Sequence, residues 1–252
     1  MSDLAPLLVA FPVFGSVIAL LAGLARDRVG WAVAVLTLAV QTAIAGTLMA
    51  DVLGSEAIRY VVGGFTVPIG IELVVDGLSA TIALLVAVVS LGVLAYARQA
   101  GPRSNAFYVI YLLLVAGLSG MAITGDVFNM YVFLEITGLT AYALVASGDG
   151  GRSAIAALKY LLVGTVGASL FLLGIGFAYI ATGTLNMGDL AAQLAEVGYD
   201  SPLVLAAFGL LVVGLFVKIA VFPLHTWQPA AYAGAPDSVS AFISALVSTV
   251  AA

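Results

Sequence analysis

Residues 124–146, TGDVFNMYVFLEITGLTAYALVA, form an apolar run long enough to cross a bilayer, with one acid, Glu135, close to the middle. At 1.5 Å rise per residue, Glu135 lies roughly 14 Å along a helix from Asp126, about halfway through a hydrocarbon core of ~30 Å. A carboxylate at that depth costs at least ~2.5–3.5 kcal/mol. We therefore expect it to face a protein interior or a water-filled path.

One face of this run carries polar and small residues at spacings of four, three and four: Tyr131, Glu135, Gly138 and Tyr142. This spacing places them on one side of a helix, and we predict that the stripe points inward. Tyr131, Tyr142 and Asp126 are candidates for a polar lining or a proton access path. Partners for the carboxylate are few, because the chain has two lysines, Lys159 and Lys218, both in apolar runs.

The composition is that of a polytopic membrane protein. Hydrophobic residues make up 63 % of the chain and charged residues 8 %, against ~25 % charged in soluble domains. With no cysteine and one histidine, the chain cannot supply thiolate metal sites or iron–sulfur clusters, nor a zinc site by itself. We expect no metal and no cofactor in this chain, and a lipid bilayer, not nucleic acid, around it.

Apolar runs separated by charges, glycines and prolines predict an all-α chain with seven transmembrane helices and the start of an eighth. The runs lie near 4–25, 30–50, 76–97, 105–124, 126–147, 153–182 and 202–227, and the eighth begins near 237. Residues 52–75 are predicted to form a hairpin, and 186–199 a short amphipathic surface helix. Arginines follow the first, third and fifth runs, so the positive-inside rule predicts an outside N-terminus.

The seventh run contains two prolines that predict a discontinuous helix. Pro223 has no N–H for the carbonyl of Ile219, and Pro229 likewise leaves the carbonyl of His225 free. Lys218 lies directly before Ile219. A broken spanning helix beside a buried lysine is tolerated where it is packed in protein or lines a hydrated cavity, a pattern typical of ion transporters.

Glu135 and Lys218 in one low-dielectric interior would be coupled, since each stabilises the charged form of the other. Proton movement can then be driven by changing their separation. Histidine is the residue type best suited to pass protons between such a pair and water, so His225 is a candidate relay; the alternative is a neutral ring bonded by backbone at the break. Lys159 either snorkels to the interface or takes part in the function.

Four segments resemble one family: TGDVFNMYVFLE (124–135), ALKY (157–160), TGTLNMGDL (182–190) and FVKIAVFPLHTWQP (216–229). Together they resemble the antiporter-like membrane subunits shared by Mrp-type cation/proton antiporters, respiratory complex I and membrane-bound hydrogenases. The first and third look most like the D-type subunit of the Mrp antiporters. The resemblance implies that Glu135 and the broken-helix Lys218 drive proton translocation, and it matches Lys159 and His225 to family positions.

The chain departs from the family pattern at two positions. Where many members read LPDAH, residues 228–232 read QPAAY, so the acid and the second histidine are absent. Many members carry a lysine on the eighth helix. In residues 240–252 of this chain, the only polar side chains are hydroxyl groups of serine and threonine. The sequence alone does not show what replaces that lysine.

The resemblance also implies two inverted five-helix repeats, of which this chain holds one. We predict helices one to three with the hairpin in residues 1–104, and the first repeat, helices four to eight, in residues 105–252. The eighth run stops after 16 residues, short of the ~20 that span a bilayer. We expect a truncated sequence, the alternative being a separately encoded second half.

Three functions remain open. The first is a proton-translocating subunit of a sodium/proton antiporter in the cell membrane, which works with other membrane subunits. The second is the membrane arm of a redox enzyme, such as NADH:quinone oxidoreductase (complex I) or a hydrogenase, with electron transfer in partner subunits. The third is a non-conducting assembly subunit. The cation, the stoichiometry and any membership of an enzyme are left undecided.

Overall fold

The computed structural model describes residues 2–26, 29–148 and 150–252, and these are mostly helical. Its helices are α1 (Leu7–Ala25), α2 (Gly30–Gly54), α3 (Gly77–Ala100), α4 (Asn105–Ile123), α5 (Val127–Ala146), α6 (Gly151–Thr182), α7 (Met187–Val197), α8 (Pro202–Lys218), α9 (Gln228–Gly234), α10 (Asp237–Phe242) and α11 (Ser248–Ala251). A π-helical turn, Ile243–Val247, joins the last two, and the strands are β1 (Ile58–Val61) and β2 (Glu72–Val75).

Helices α1 to α6 are long and apolar enough to cross a membrane, which confirms the polytopic fold and the first six predicted spans. The seventh predicted span is shorter, because α8 ends at Lys218 and the chain turns before α9 begins. The predicted discontinuity is therefore present. The eighth run folds as α10, the π-helical turn and α11.

Helix α4 lies at the centre of the bundle. In its apolar window 72 % of the residues are buried, against 28–44 % in the other five spans, and it packs on α1, α2, α3 and α5. Glycines allow this close approach: a Cβ atom on Gly117 would lie 2.6 Å from the Thr137 hydroxyl oxygen of α5. Small residues at helix contacts are the usual solution in membranes, where no hydrophobic force drives helices together.

The predicted hairpin is confirmed as an antiparallel pair of strands, with Ile58 opposite Val75 and Val61 opposite Glu72. The predicted short helix is confirmed as α7, which buries none of its residues. Asn186 starts it, since its side-chain oxygen accepts the backbone N–H groups of Gly188 (3.0 Å) and Asp189 (3.1 Å). This is the usual role of asparagine at a helix N-cap.

The hairpin is bonded to the starts of α5 and α7 through residues that we call the hairpin joint: Glu72, Gly125 and Asn186. The Gly125 N–H donates to the Glu72 carbonyl (2.7 Å), and the Met187 N–H donates to the Gly125 carbonyl (2.9 Å). Asn186 Nδ2 donates to Glu72 Oε2 (3.1 Å), and Arg59 pairs with Glu72 Oε1 (3.0 Å). Two of the segments that carry the family resemblance therefore meet at this joint.

We expect Asp76→Ala to destabilise the start of α3. The Asp76 carboxylate accepts the Ser79 backbone N–H (2.8 Å), and the Ser79 hydroxyl accepts the Asp76 N–H (2.7 Å). The loss of such a cap costs about 1 kcal/mol. Thermal unfolding in detergent at pH 7 should show it, whereas Asp200→Ala, an exposed acid outside a helix, should change little.

The same cap makes this contribution pH-dependent. The Ser79 backbone N–H holds the pKa of the Asp76 carboxyl below its usual range. A group with a depressed folded-state pKa stabilises the protein above its unfolded-state pKa and loses that contribution as the pH falls through the folded-state value. The difference in melting temperature between wild type and Asp76→Ala should shrink in acid; an unchanged difference would contradict the charged cap.

Candidate functional site

The structure brings Glu135 of α5 and Lys218 of α8 together inside the bundle. Lys218 Nζ lies 3.5 Å from Glu135 Oε1, and the two side chains are 8 % (Lys218) and 29 % (Glu135) exposed. Lys218 is the last residue of α8, where the aligned peptide dipoles favour a positive charge. Its ammonium group is thus placed by the helix end and faced by a carboxylate from the neighbouring helix.

The ammonium group has a second partner, the hydroxyl of Tyr142, at 3.4 Å. Both contacts are longer than the about 2.7–2.9 Å of tight charge-assisted bonds, so the ammonium group is shared between two oxygens. Gly138 leaves room for this arrangement, because a Cβ atom there would lie 3.1 Å from both Lys218 Nζ and the Tyr142 hydroxyl. Of the predicted stripe, Gly138 and Tyr142 are buried, and Glu135 and Tyr131 are half-buried.

Tyr142 is supported by aromatic rings that the sequence analysis did not single out. We call Tyr142, Tyr160 and Trp227 the aromatic column. Tyr142 meets Tyr160 edge-on (centroids 4.5 Å apart), and Tyr160 stacks on Trp227 (4.1 Å). Trp227 Nε1 donates to the Val217 carbonyl at the end of α8 (2.9 Å). The column therefore links the tyrosine hydroxyl to the helix end that carries the lysine.

Gly164 on α6 gives Tyr142 its place, because a Cβ atom on Gly164 would overlap the Tyr142 hydroxyl. We expect Gly164→Ala to displace that hydroxyl from Lys218 and to cost about 1–3 kcal/mol of stability, as overpacking does. Unfolding in detergent measures the cost. Gly176→Ala on the same helix is the control, because no atom lies within 4 Å of its added Cβ, and it should stabilise by up to about 1 kcal/mol. Equal effects would contradict this role of Gly164.

The turn between α8 and α9 corrects two details of the predicted break. The helix ends directly after Lys218, before Pro223, and Ala220 adopts a left-handed backbone conformation (φ 56°). Pro229 does not break a helix; it lies in the first turn of α9, where a missing N–H costs nothing. The His225 carbonyl is not free either, since it accepts the Gln228 N–H (3.0 Å).

His225 lies in this turn, half-buried, with its ring 5.5 Å from that of Phe222. Its Nδ1 atom is buried and has no hydrogen-bond partner within the described residues. The structure therefore does not show the alternative at this nitrogen, in which the backbone would form a hydrogen bond with the ring. An unpaired ring nitrogen of histidine can form a hydrogen bond with a water molecule, as donor or as acceptor according to the tautomer.

Of the other candidate residues, Lys159 and Asp126 lie apart from the pair, and Tyr131 lies next to Glu135 on α5. Lys159 is exposed on α6 and forms neither of the two ion pairs found among the described residues. Asp126 is buried, and its carboxylate accepts the Asn129 backbone N–H (2.7 Å), which makes it the N-cap of α5. Tyr131 lies one turn before Glu135, with its ring 6.0 Å from that of Phe128.

This arrangement lies in a part of the chain that matches a known family. The sequence profile described as "NADH:quinone oxidoreductase/Mrp antiporter, TM" matches residues 124–252. The N-type subunit of NADH-quinone oxidoreductase from Desulforudis audaxviator MP104C is 47 % identical over 85 % of this chain and 44 % of its own length. The D-type subunit of the Na(+)/H(+) antiporter from Bacillus subtilis 168 is 35 % identical over 84 % and 43 %. The chain spans less than half the length of each relative.

Solved structures share the fold over the whole chain. A chain of the membrane-bound sulfane sulfur reductase, an archaeal respiratory membrane complex, superposes with a TM-score of 0.94 at 33 % identity, and 52 % of that chain is covered. A chain of the Mrp complex from Dietzia sp. DQ12-45-1b superposes with a TM-score of 0.88 at 28 % identity, and 47 % is covered. Both are parts of membrane complexes.

Proposed function

This chain belongs to the NADH:quinone oxidoreductase/Mrp antiporter transmembrane family, and on that basis we propose that it is a proton-translocating subunit of a multisubunit cation/proton antiporter. The observation that carries the proposal is the contact between Glu135 and Lys218 at the end of a broken helix. A buried acid and amine that can separate provide a site whose proton affinity changes with their distance.

In the proposed cycle the two partners of Lys218 have different roles. While the ammonium group faces Glu135, the carboxylate is held charged and binds no proton. When the ammonium group moves away from Glu135 and keeps the Tyr142 hydroxyl, now 3.4 Å away, as its partner, the carboxylate loses its cation in a low-dielectric site and takes a proton. The return of Lys218 expels that proton. His225, with its unpartnered ring nitrogen, is proposed to connect the pair with water.

We extend the proposal to the setting of the chain. Residues 105–252 are proposed to form one five-helix repeat and residues 1–104 to flank it. The N-terminus is proposed to lie outside the cell membrane, since the arginine-rich connections lie at the opposite end of the bundle from the hairpin. Lys159 and Asp126 are proposed to line the proton path at a distance from the pair. Other membrane subunits are the proposed partners, and sodium the proposed cation.

A second candidate function is the membrane arm of a redox-driven proton pump. The 47 % identity to a subunit of NADH-quinone oxidoreductase and the TM-score of 0.94 to a respiratory complex favour it. The pair would work in the same way in both complexes. The difference lies in what drives it, a cation gradient or electron transfer in partner subunits.

Everted vesicles that contain the whole native assembly and a pH-sensitive dye separate these functions. A gradient is set by respiration, respiration is then blocked, and sodium, potassium or choline chloride is added. Collapse of the proton gradient by sodium, and not by choline, supports the antiporter. Collapse by potassium alone would show that the exchanged cation is potassium and not sodium. Proton movement only with an electron donor would overturn antiport in favour of the redox pump. If protons move under neither condition, the remaining function is that of a non-conducting assembly subunit.

A further inference from the structure

A second polar site lies far from the hairpin joint, at the other end of the bundle. It is an open cavity of about 640 Å³ between the starts of α2 and α4 and the end of α3. We call it the arginine pocket, and its lining is Trp31, Ala32, Arg98, Gln99, Arg103 and Tyr108. Two guanidinium groups and two aromatic side chains thus share one cavity, and none of them belongs to the site around Lys218.

The pocket holds one of its arginines in a defined position. The guanidinium carbon of Arg98 lies 4.0 Å from the centroid of the Trp31 ring. A guanidinium group stacked on an aromatic face keeps its N–H donors in its own plane, free for another ligand. Trp31 Nε1 is buried and has no hydrogen-bond partner in the described part of the chain. Since that N–H has almost no accessible surface, Trp31 contributes its ring to the pocket, and the ring positions Arg98.

The charges of the pocket are uncompensated in the described residues. Neither Arg98 nor Arg103 is among the ion pairs found there. In the sequence, the connection that precedes Trp31 holds two arginines and one acid: Arg26, Asp27 and Arg28. Arginine forks match the oxygens of phosphate and carboxylate groups, because two parallel N–H bonds can form.

The place of the pocket in the bilayer decides which phosphate it suits. Trp31 is the second residue of α2 and Arg98 lies in the last turn of α3, so the pocket is at the membrane boundary, where headgroups lie. One helical turn deeper than Ala32, on the same face of α2, Leu36 is 68 % exposed. A phosphate with an apolar tail would contact both surfaces, whereas a free phosphate would contact only the first.

We infer that the arginine pocket binds the headgroup phosphate of an anionic phospholipid, with Arg98 and Arg103 as its cationic partners and the Trp31 ring holding Arg98 in position. The acyl chain then lies along α2 past Leu36. A lipid bound in this way bridges α2, α3 and α4. The inference is independent of the proposed transport function, since no residue of the pocket touches Glu135 or Lys218.

The test uses the intact assembly in nanodiscs of phosphatidylcholine with or without phosphatidylglycerol. Native mass spectrometry then measures which lipids the assembly retains. Wild type should retain phosphatidylglycerol in preference to phosphatidylcholine. Arg98→Gln and Arg103→Gln should each weaken this retention about fivefold, the effect of one basic residue near an anionic headgroup. Arg152→Gln is the matched control, because it removes the same charge in a different cavity at the same end of the bundle.

Arg98→Lys keeps the charge and should give a smaller loss, because lysine lacks the planar fork. It also keeps the test meaningful if a glutamine variant assembles poorly. Three results would overturn the inference: equal losses in Arg152→Gln and Arg98→Gln, no preference of wild type for phosphatidylglycerol, or complete displacement of the lipid by inorganic phosphate. The last result would assign the pocket to a free anion.

Discussion

Glu135→Gln is expected to abolish cation-driven proton movement while the assembly still forms. Glutamine keeps the shape and the hydrogen-bonding capacity of the side chain but cannot bind and release a proton. It also leaves the ammonium group of Lys218, which in wild type lies 3.5 Å from that carboxylate, with the Tyr142 hydroxyl as its remaining partner. The dye assay in everted vesicles measures the loss, and blue-native electrophoresis of the assembly shows that it is not a loss of expression.

Lys218→Ala should abolish the same activity, and the double variant should be no worse than either single one, because the two residues act as one unit. The matched control for Glu135→Gln is Glu196→Gln. It makes the same chemical change at an exposed position of α7 and should leave exchange near wild type. Wild-type exchange in Glu135→Gln would refute the proposed role of the pair. A double variant with an additional loss would show that the two residues act separately.

Trp227→Ala is expected to destabilise the protein by about 3–5 kcal/mol, the range for removal of a buried large aromatic side chain. Trp227 is 2 % exposed, stacks on Tyr160 and bonds to the Val217 carbonyl. Its loss leaves a cavity and frees the end of α8 that carries Lys218. Thermal unfolding in detergent measures the stability of the variant against wild type.

Two further variants separate the causes of this effect. Trp227→Phe keeps a ring against Tyr160 but loses the bond to Val217 and part of the buried volume, so it should cost more than the about 1 kcal/mol of the bond and less than Trp227→Ala. Phe208→Ala removes an aromatic ring that is 66 % exposed on α8, and it should stay within about 0.5 kcal/mol of wild type in stability. A Trp227→Ala variant as stable as Phe208→Ala would show that the aromatic column does not support the helix end.

Most of the fold could be predicted from the sequence because each element has its own local signal. Apolar runs of bilayer length predicted α1 to α6. Polar stretches that are too short or too polar to span a membrane predicted the hairpin and α7. The seventh helix was predicted to break near Pro223, but it ends after Lys218, since tertiary contacts and the turn at Ala220 decide where a weakened helix stops. Pro229 was misread because proline is as typical of a helix start as of a break.

The charged residues of the site could be predicted from the sequence, but the aromatic residues around them could not. Two opposite charges in apolar runs have few partners, and this scarcity singled out Glu135 and Lys218, which the structure places 3.5 Å apart. Tyr160 and Trp227 were missed, because stacking between different helices leaves no spacing pattern in one chain. The role of Gly164 in seating Tyr142 was missed as well, because it depends on a neighbour 22 positions away in the sequence.

The two helices that carry the charge pair are held differently: the start of α5 is bonded to the hairpin joint, and the end of α8 is bonded to Trp227 of the aromatic column. The start of α5 is tied by backbone bonds to β2 and to the link before α7, through Gly125 with Glu72 and Val127 with Leu185. The turn after Lys218 has only local backbone bonds of its own. We therefore expect Glu135 to keep its position, and any change in its distance from Lys218 to come from the end of α8.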